Sequence, residues 1–240
     1  ASGMPENNDG FTGVVVYGGP GNDTITGSQD DDQLAGGTGI DWIYGQQGDD
    51  HIYGDSSFNV NLALFAQDQN AGFDATTSAG LAAINAMFTV PVGASPDVDH
   101  LFGNDGNDII LGDHGVISQA DGTRRIQTTG AIERIESVVE HLGGADIISG
   151  NVGNDIIIGG DEGDTIHGDS GDNIILGDHG VIDYVIDDGD RSDIDRIFST
   201  STTANGGADE IEAEFGDDIV IGGRFGDTVS LLGGNNLVIG

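Results

Sequence analysis

The chain has 240 residues, a length that suits one solenoid or two ordinary domains. It contains 43 Gly but only 6 Lys and Arg against 42 acidic residues, which gives a formal net charge of −36. Nucleic acid and anionic membrane surfaces bind basic faces, so we expect neither as a partner. Multivalent cations are favoured instead, because they relieve the repulsion between carboxylates. No run reaches the roughly 18 apolar residues of a membrane span.

A nine-residue phrase organises the chain. It is first complete from Gly18 to Thr26, as Gly-Gly-Pro-Gly-Asn-Asp-Thr-Ile-Thr, and three further copies follow directly, up to Tyr53. Large apolar residues recur nine apart at the eighth position, and acids recur nine apart at the sixth position. The apolar set is Ile25, Leu34, Ile43 and Ile52, and the acidic set is Asp23, Asp32, Asp41 and Asp50. A fixed period of this kind predicts a repeat architecture.

This phrase resembles the repeats-in-toxin (RTX, hemolysin-type) nonapeptide family. The resemblance implies a parallel β-roll that binds Ca²⁺. It also implies that each ion lies between successive turns at one edge of the roll. The position-six Asp and the carbonyl groups of the Gly-rich turns would hold the ion.

The spacing has a physical interpretation of its own. Six Gly-rich residues make a turn, and three residues make a short strand whose central side chain points inward. Two units complete one coil, so acids that are two repeats apart, such as Asp23 and Asp41, stack on each other. Stacked carboxylates repel unless a cation lies between them, and Ca²⁺ accepts many oxygen ligands in flexible geometry. A single copy of the phrase would favour a turn in which Asp binds no metal, because Asp is common in turns for its own hydrogen bonds. Four consecutive copies in the same register favour calcium binding.

Two segments near the N-terminus depart from the repeat. Residues 1–17 are predicted as a flexible lead and a capping half-repeat, because Val16 keeps the apolar position while Val14 replaces the Asp. Residues 58–98 are predicted as an insertion that projects from the roll. Within it, Phe58 to Phe65 alternates like a strand and Ser78 to Phe88 suits a short helix. The insertion serves either as a binding loop or as a packing flap.

A second, longer repeat of roughly 65 residues follows. Gly-Asp-His-Gly-Val-Ile occurs at residues 112–117 and again at residues 177–182, and each copy closes with Gly-Gly-Ala-Asp. The segments between, at about 118–140 and 183–203, are predicted as hairpins that leave the roll and rejoin it. His114 and His179 recur in matching places, where we expect each to cap a turn or to form a hydrogen bond across a coil, with binding of a metal or a partner as the alternative.

The nonapeptide returns between and after these insertions. Its predicted metal ligands are Asp108, Asp146, Asp155, Asp164, Asn173, Asp209, Asp218 and Asp227. Asn173 keeps a carbonyl oxygen but lacks the charge, so its site is expected to be weaker. Near the C-terminus, Ala213-Glu214 and Leu231-Leu232 replace the Gly pairs of the repeat. We therefore expect weaker metal binding there than in the first four copies, from Gly18 to Tyr53.

No catalytic motif stands out, and we expect no enzyme. Gly168-Asp169-Ser170-Gly171 looks like a serine-hydrolase phrase but lies inside the nonapeptide register, so Ser170 is interpreted as a turn residue. Neither His-Glu-x-x-His nor Gly-x-Ser-x-Gly is present. The absence of cysteine suits a secreted protein built without disulfides.

The sequence therefore predicts a single all-β domain over residues 1–240, a calcium-binding parallel β-roll with hairpin-like insertions. Its expected role is structural, outside a bacterial cell, in a surface layer, an adhesin or a filament. The chain stops on a repeat boundary, so we expect either a segment of a longer protein or head-to-tail stacking of copies. The alternative is an accessory module of a secreted enzyme that binds polysaccharide, with Trp42, Tyr44 and Tyr53 on its outer face.

Overall fold

The computed structural model describes residues 13–55, 97–119, 132–138, 142–201 and 205–240. Every regular element in these ranges is a β-strand, and the strands, numbered β1 to β19 in chain order, form three sheets. This arrangement confirms the predicted all-β class. Within the same ranges no helix is long and apolar enough to span a membrane.

Two parallel sheets form the roll. Sheet A contains, in spatial order, β1 (Val15–Pro20), β3 (Gln33–Thr38), β5 (His51–Tyr53), β7 (Ile109–Leu111), β11 (Ile156–Gly160), β13 (Ile174–Asp178), β17 (Ile219–Ile221) and β19 (Leu237–Ile239). Sheet B contains β18 (Thr228–Leu231), β16 (Glu210–Phe215), β12 (Thr165–Ser170), β10 (Ile147–Val152), β6 (His100–Asp105), β4 (Trp42–Gln47) and β2 (Thr24–Thr26). Along the chain these strands alternate between the two sheets, so the backbone winds as a flattened coil.

The strand register follows the nonapeptide. Ile25 pairs with Ile43 and Leu34 with Ile52, each two repeats further along the chain. At the start, Val16 in β1 pairs with Leu34 in the same parallel register. Gly-rich turns make this stacking possible. At Gly39, for example, φ is +120° and a Cβ would lie 2.5 Å from the carbonyl oxygen of Gly21.

One apolar side chain per repeat fills the space between sheets A and B. This inner core contains Ile25, Leu34, Ile43, Ile52, Leu101, Ile110, Ile148, Ile157, Ile166, Ile175, Ile211, Ala213 and Val220. Full burial of one such aliphatic side chain stabilises a fold by about 1.5–3 kcal/mol. The inner core is only one side chain thick, as the spacing predicts.

The two later insertions form a third layer. In antiparallel sheet C, β8 (Gly115–Gln119) pairs with β9 (Ile132–Ser137), and β14 (Gly180–Asp183) pairs with β15 (Arg196–Ser199). Both insertions are therefore hairpins, as predicted. The hairpins also pair with each other through β9 and β14.

Sheet C lies against the outer face of sheet A and buries a second apolar cluster. That cluster includes Tyr53, Leu111, Ile158 and Leu176 from sheet A, and Ile117, Ile135 and Ile182 from sheet C. The prediction that Tyr53 lies on an open outer face is wrong, since only 1% of its surface is exposed. The first insertion, with its predicted strand at 58–65 and predicted helix at 78–88, lies outside the described residues.

Candidate metal centre

The sixth residues of the repeats form two columns, one at each edge of the roll. The column that precedes the strands of sheet B is called here the first acid ladder. It contains Asp23, Asp41, Asp99, Asp146, Asp164, Asp209 and Asp227. The column that precedes the strands of sheet A is the second acid ladder. It contains Asp32, Asp50, Asp108, Asp155, Asn173, Asp218 and Asn236. All twelve predicted ligands fall in these two columns.

Each ladder is held in register by the same hydrogen bond. The backbone N–H of one member donates to Oδ1 of the member in the next coil, as from Asp23 to Asp41 at 2.8 Å and from Asp32 to Asp50 at 2.7 Å. The bond also joins members that insertions separate in sequence. Asp50 donates to Asp108, 58 residues on, at 2.7 Å, and Asp164 donates to Asp209, 45 residues on, at 2.8 Å. Each coil therefore resumes in register after an insertion.

The second carboxylate oxygen, Oδ2, has no such partner in most members. It is buried and accepts no hydrogen bond in Asp23, Asp41, Asp50, Asp99, Asp108, Asp146, Asp155, Asp164, Asp209 and Asp218. In Asp32, by contrast, Oδ2 accepts a hydrogen bond from the backbone of Ser28. An ionised carboxylate that is buried without a partner is strongly unfavourable. A row of such oxygens therefore requires a cation or protons.

The Gly residue that opens each turn leaves a space beside this oxygen. A Cβ on Gly18 would lie 2.6 Å from Oδ2 of Asp23 and 2.6 Å from the carbonyl oxygen of Gly36 in the next coil. A Cβ on Gly103 would meet Oδ2 of Asp108 and would lie 2.8 Å from the carbonyl oxygen of Gly150. The space is thus lined by a carboxylate from one coil and a carbonyl from the next. Oxygen donors of these two kinds are the ligands that Ca²⁺ takes, so the residues present fit this ion.

The electrostatics agree with this geometry. Burial raises the pKa of Asp50, Asp99 and Asp108 to about 8 each, and neighbouring carboxylates raise it further against the opposing effect of a backbone hydrogen bond. The pKa of Asp155 and of Asp209 rises to about 7, chiefly through burial. Without metal, the folded roll therefore holds protons on these acids near neutral pH. A bound divalent cation would replace those protons.

Carbonyl groups are an essential part of the centre. The described residues contain no cluster of three or more His, Cys, Asp or Glu side chains that could hold a metal by themselves. The described ion pairs involve other carboxylates, such as Glu133 with Arg191 and Asp183 with Arg134, and none of the ladder acids. Positive charge for the ladders is therefore not supplied by the described side chains.

One member of the first acid ladder was missed by the sequence analysis. Asp99 accepts the N–H of Asp41 and donates its own N–H to Asp146, both at 2.8 Å, so it joins the first block of repeats to the later ones. The Gly beside its carboxylate, Gly54, lies before the first insertion, and a Cβ there would lie 2.6 Å from Oδ2 of Asp99. The available signal was the phrase from Asp99 to Gly103, in which Leu101 holds the apolar position.

The repeated Gly-Asp-His-Gly phrase marks the points where the hairpins begin. Oδ1 of Asp113 accepts the N–H of Gly144 at 2.9 Å, and Oδ2 accepts the N–H of Asp161 at 2.5 Å. Asp178 makes the equivalent pair of bonds, to Gly207 at 2.8 Å and to the backbone of Arg224. In each copy the first bond fixes the chain where it returns from the hairpin.

The residue that donates this bond, Gly144 or Gly207, comes two residues before the next ladder acid, Asp146 or Asp209. The carboxylates of Asp113 and Asp178 therefore position members of the first acid ladder. His114 and His179 are buried beside them, and burial lowers the pKa of His114. That these histidines bind a metal or a partner stays a prediction.

The family model for the RTX calcium-binding nonapeptide repeat (4 copies) matches residues 15–41, 26–60, 94–116, 142–175 and 203–229. These ranges cover more than half of the chain. No curated protein and no solved structure shows a significant match. The nonapeptide repeats of this family bind Ca²⁺, the ion that the ladder oxygens fit. The chain belongs to the RTX calcium-binding nonapeptide repeat family.

Proposed function

We propose that this chain is a calcium-dependent structural protein, secreted to the outside of a bacterial cell. Its Ca²⁺-stabilised roll would serve the assembly of a surface layer, an adhesin or a filament. The observation that carries the proposal is the pair of buried acid ladders, in which ten carboxylates have an Oδ2 atom that accepts no hydrogen bond. An architecture that repeats one cation site through the whole body of the protein suits a structural role better than a single active centre. We propose no catalytic activity for the chain.

Calcium would couple folding to location. The charge of −36 and the thin inner core oppose folding when free calcium is low, as it is inside cells. Millimolar calcium outside the cell would bind the folded roll and not the unfolded chain, so the free energy of binding becomes free energy of folding. A secreted protein with this coupling would leave the cell unfolded and fold outside.

The end coils support assembly. Strands β1 and β19 lie at opposite ends of sheet A, and within the described residues each pairs with one neighbour only. Their apolar side chains are partly exposed, at 49% for Val15, 54% for Leu237 and 46% for Val238. A strand edge with exposed apolar residues is a template for pairing with another strand. A second copy stacked head to tail would bury both ends and extend the filament.

Sedimentation velocity tests the proposal. The chain is compared in chelator, in millimolar Mg²⁺ and in millimolar Ca²⁺, with circular dichroism as a parallel measure of strand content. Calcium alone should convert a slow, expanded monomer into a compact and then a polymeric species. Val238→Lys should fold with calcium but remain monomeric, whereas Leu232→Lys, a change outside the strands at a residue 70% exposed, should polymerise like the parent. A chain that stays a compact monomer in calcium would refute assembly, and identical sedimentation in all three buffers would refute calcium-dependent folding.

A second candidate function, binding of polysaccharide, is favoured by one observation. Aromatic rings stack in pairs on the outer face of sheet B, which no other described element covers. The ring centroids of Trp42 and His100 are 3.8 Å apart at 12°, and those of Tyr44 and Phe102 are 5.0 Å apart at 7°. Flat aromatic surfaces with a polar edge suit ligands that present both apolar faces and hydroxyl groups, as sugar rings do.

Affinity electrophoresis through gels that contain acidic or neutral polysaccharide tests this candidate in the presence of calcium. Binding should retard the chain, and Trp42→Ala should remove the retardation. Phe215→Ala, which truncates an aromatic ring that is 65% exposed in another strand of sheet B, is the matched control and should be retarded like the parent. Equal mobility of the parent chain with and without polysaccharide would refute the candidate.

A further inference from the structure

Asn173 departs from the Asp members of its ladder at a fully buried position. It belongs to the second acid ladder and is 0% exposed. Its Oδ1 accepts the backbone N–H of Asp155 at 2.9 Å, which is the bond that a carboxylate makes elsewhere in the ladder. The amide orientation is thereby fixed, because a flipped amide would place an N–H donor against the N–H of Asp155.

The other end of the amide is satisfied inside its own turn. Nδ2 donates to the carbonyl oxygens of Gly168 at 3.2 Å and Gly171 at 3.1 Å. In most turns with Asp, the corresponding atom is an Oδ2 that accepts no hydrogen bond. The amide NH₂ group of Asn173 thus donates both of its hydrogens to turn carbonyl groups that would otherwise be free to bind a cation.

The space beside the opening Gly of this turn is also different. A Cβ on Gly168 would lie 2.8 Å from Cδ1 of Ile175, 3.1 Å from Nδ2 of Asn173 and 3.4 Å from Cβ of Ala213. A Cβ on Gly18, by contrast, would lie 2.6 Å from a carboxylate oxygen and 2.6 Å from a carbonyl oxygen. The surroundings of Gly168 therefore offer methyl groups and a donor in place of the oxygens that Ca²⁺ requires.

The final coil repeats this arrangement independently. Asn236 accepts the N–H of Asp218 through Oδ1 at 2.8 Å and donates from Nδ2 to the carbonyl oxygen of Gly233 at 2.7 Å. Leu231 and Leu232 stand where its turn would have the Gly pair. The two Asn residues of the second acid ladder thus behave alike, while the first acid ladder keeps Asp in all of its described members.

We propose that the amide of Asn173 takes the place of the ion in its turn, so that calcium binding along the second acid ladder is interrupted after Asp155. The two edges of the roll then differ. Ion sites continue along the first acid ladder, whereas in the second the turns of Asn173 and Asn236 are closed with hydrogen bonds alone. The inference rests on calcium binding by the acid ladders, but not on secretion or assembly.

Counting bound ions tests this proposal. Calcium per folded chain is measured by equilibrium dialysis and elemental analysis, with circular dichroism to confirm folding. Asn173→Asp should gain one ion, alone or with Ala213→Gly, which restores the Gly of the other turns. Asn173→Ala should bind as many ions as the parent. The matched control is Asn154→Asp, which adds the same charge at an exposed turn position and should not change the count.

Two results would overturn the proposal alone: loss of one ion in Asn173→Ala, or no gain in Asn173→Asp and in its double variant with Ala213→Gly. A parent chain that binds no calcium would overturn both this inference and the proposed function. A second measurement covers poorly folding variants. In chelator, Asn173→Asp should unfold at lower urea concentration than Asn154→Asp, because it buries a carboxylate without a partner. Equal midpoints would contradict the amide's assigned role.

Discussion

Gly103→Ala provides a direct test of the space beside the ladder carboxylates. Gly103 opens the turn that leads to Asp108, and its φ lies outside the left-handed region, so Ala suits the backbone. The added Cβ would occupy the space between Oδ2 of Asp108 and the carbonyl oxygen of Gly150, which it would approach to 2.8 Å. A methyl group there excludes an ion that these two oxygens share.

The magnitude follows from the linkage between binding and folding. At a calcium concentration 100-fold above the dissociation constant, loss of one site lowers the free energy of unfolding by about 2.7 kcal/mol. The close approach of the added Cβ to the backbone oxygen of Gly150, at 2.8 Å, adds to this loss. The destabilisation should therefore be at least about 2.7 kcal/mol, and the variant should bind at least one ion fewer.

Urea unfolding in calcium, together with ion counting, measures both effects. Gly226→Ala is the matched control, because no atom lies within 4 Å of the added Cβ and its φ also lies outside the left-handed region. This control should bind as many ions as the parent and should be no less stable. If Gly103→Ala matches Gly226→Ala in ion count and in stability, the assignment of the ion to this space is wrong.

Three further predictions concern the acids and the core. Because burial raises the pKa of Asp50, Asp99 and Asp108 to about 8, above about 3.9 in the unfolded chain, the metal-free fold holds more protons than the unfolded chain. The free energy of unfolding of the metal-free fold should therefore fall as pH rises from about 4 to 8. Urea unfolding followed by circular dichroism in chelator measures this change, and a free energy of unfolding that rises with pH would contradict the raised pKa values. Asp113→Ala leaves two N–H groups without their acceptor and should cost at least about 2 kcal/mol in urea unfolding, unlike an exposed substitution. Ile157→Ala should cost about 2–5 kcal/mol, whereas Val152→Ala, at 56% exposure, should change stability by less than about 0.5 kcal/mol, and equal effects would contradict the inner core.

The nonapeptide spacing was sufficient to predict the inner core and most of both ladders. The reason is that an acid and an apolar residue at a fixed spacing impose the same local turn and strand wherever they recur. Asp99 was not predicted as a ligand because the first insertion separates it from Gly54, the Gly beside its carboxylate, and the hydrogen bonds to Asp41 and Asp146 identify it as a ladder member.

The third layer was not predicted, because pairing between β9 and β14 joins two hairpins that are far apart in sequence. A local signal for a covered face was nevertheless present. Several strands of sheet A are apolar at three successive residues, as at 109–111 and 156–158, whereas β2 of sheet B reads Thr-Ile-Thr. A strand that is apolar on both faces is buried on both faces.

Restoration of the register after each hairpin makes the roll a tolerant host for added sequence. Ile166 pairs with Ile211 and Leu101 with Ile148 in parallel register although a hairpin intervenes between the members of each pair. The entropic cost of a flexible loop grows by only about 0.6 kcal/mol for each doubling of its length. Segments could therefore be inserted between the strands of each hairpin, after Gln119 in the first and after Asp183 in the second. Because β9 and β14 pair with each other, two inserted segments would be displayed side by side, which makes this scaffold suitable for arrays of foreign epitopes or enzymes.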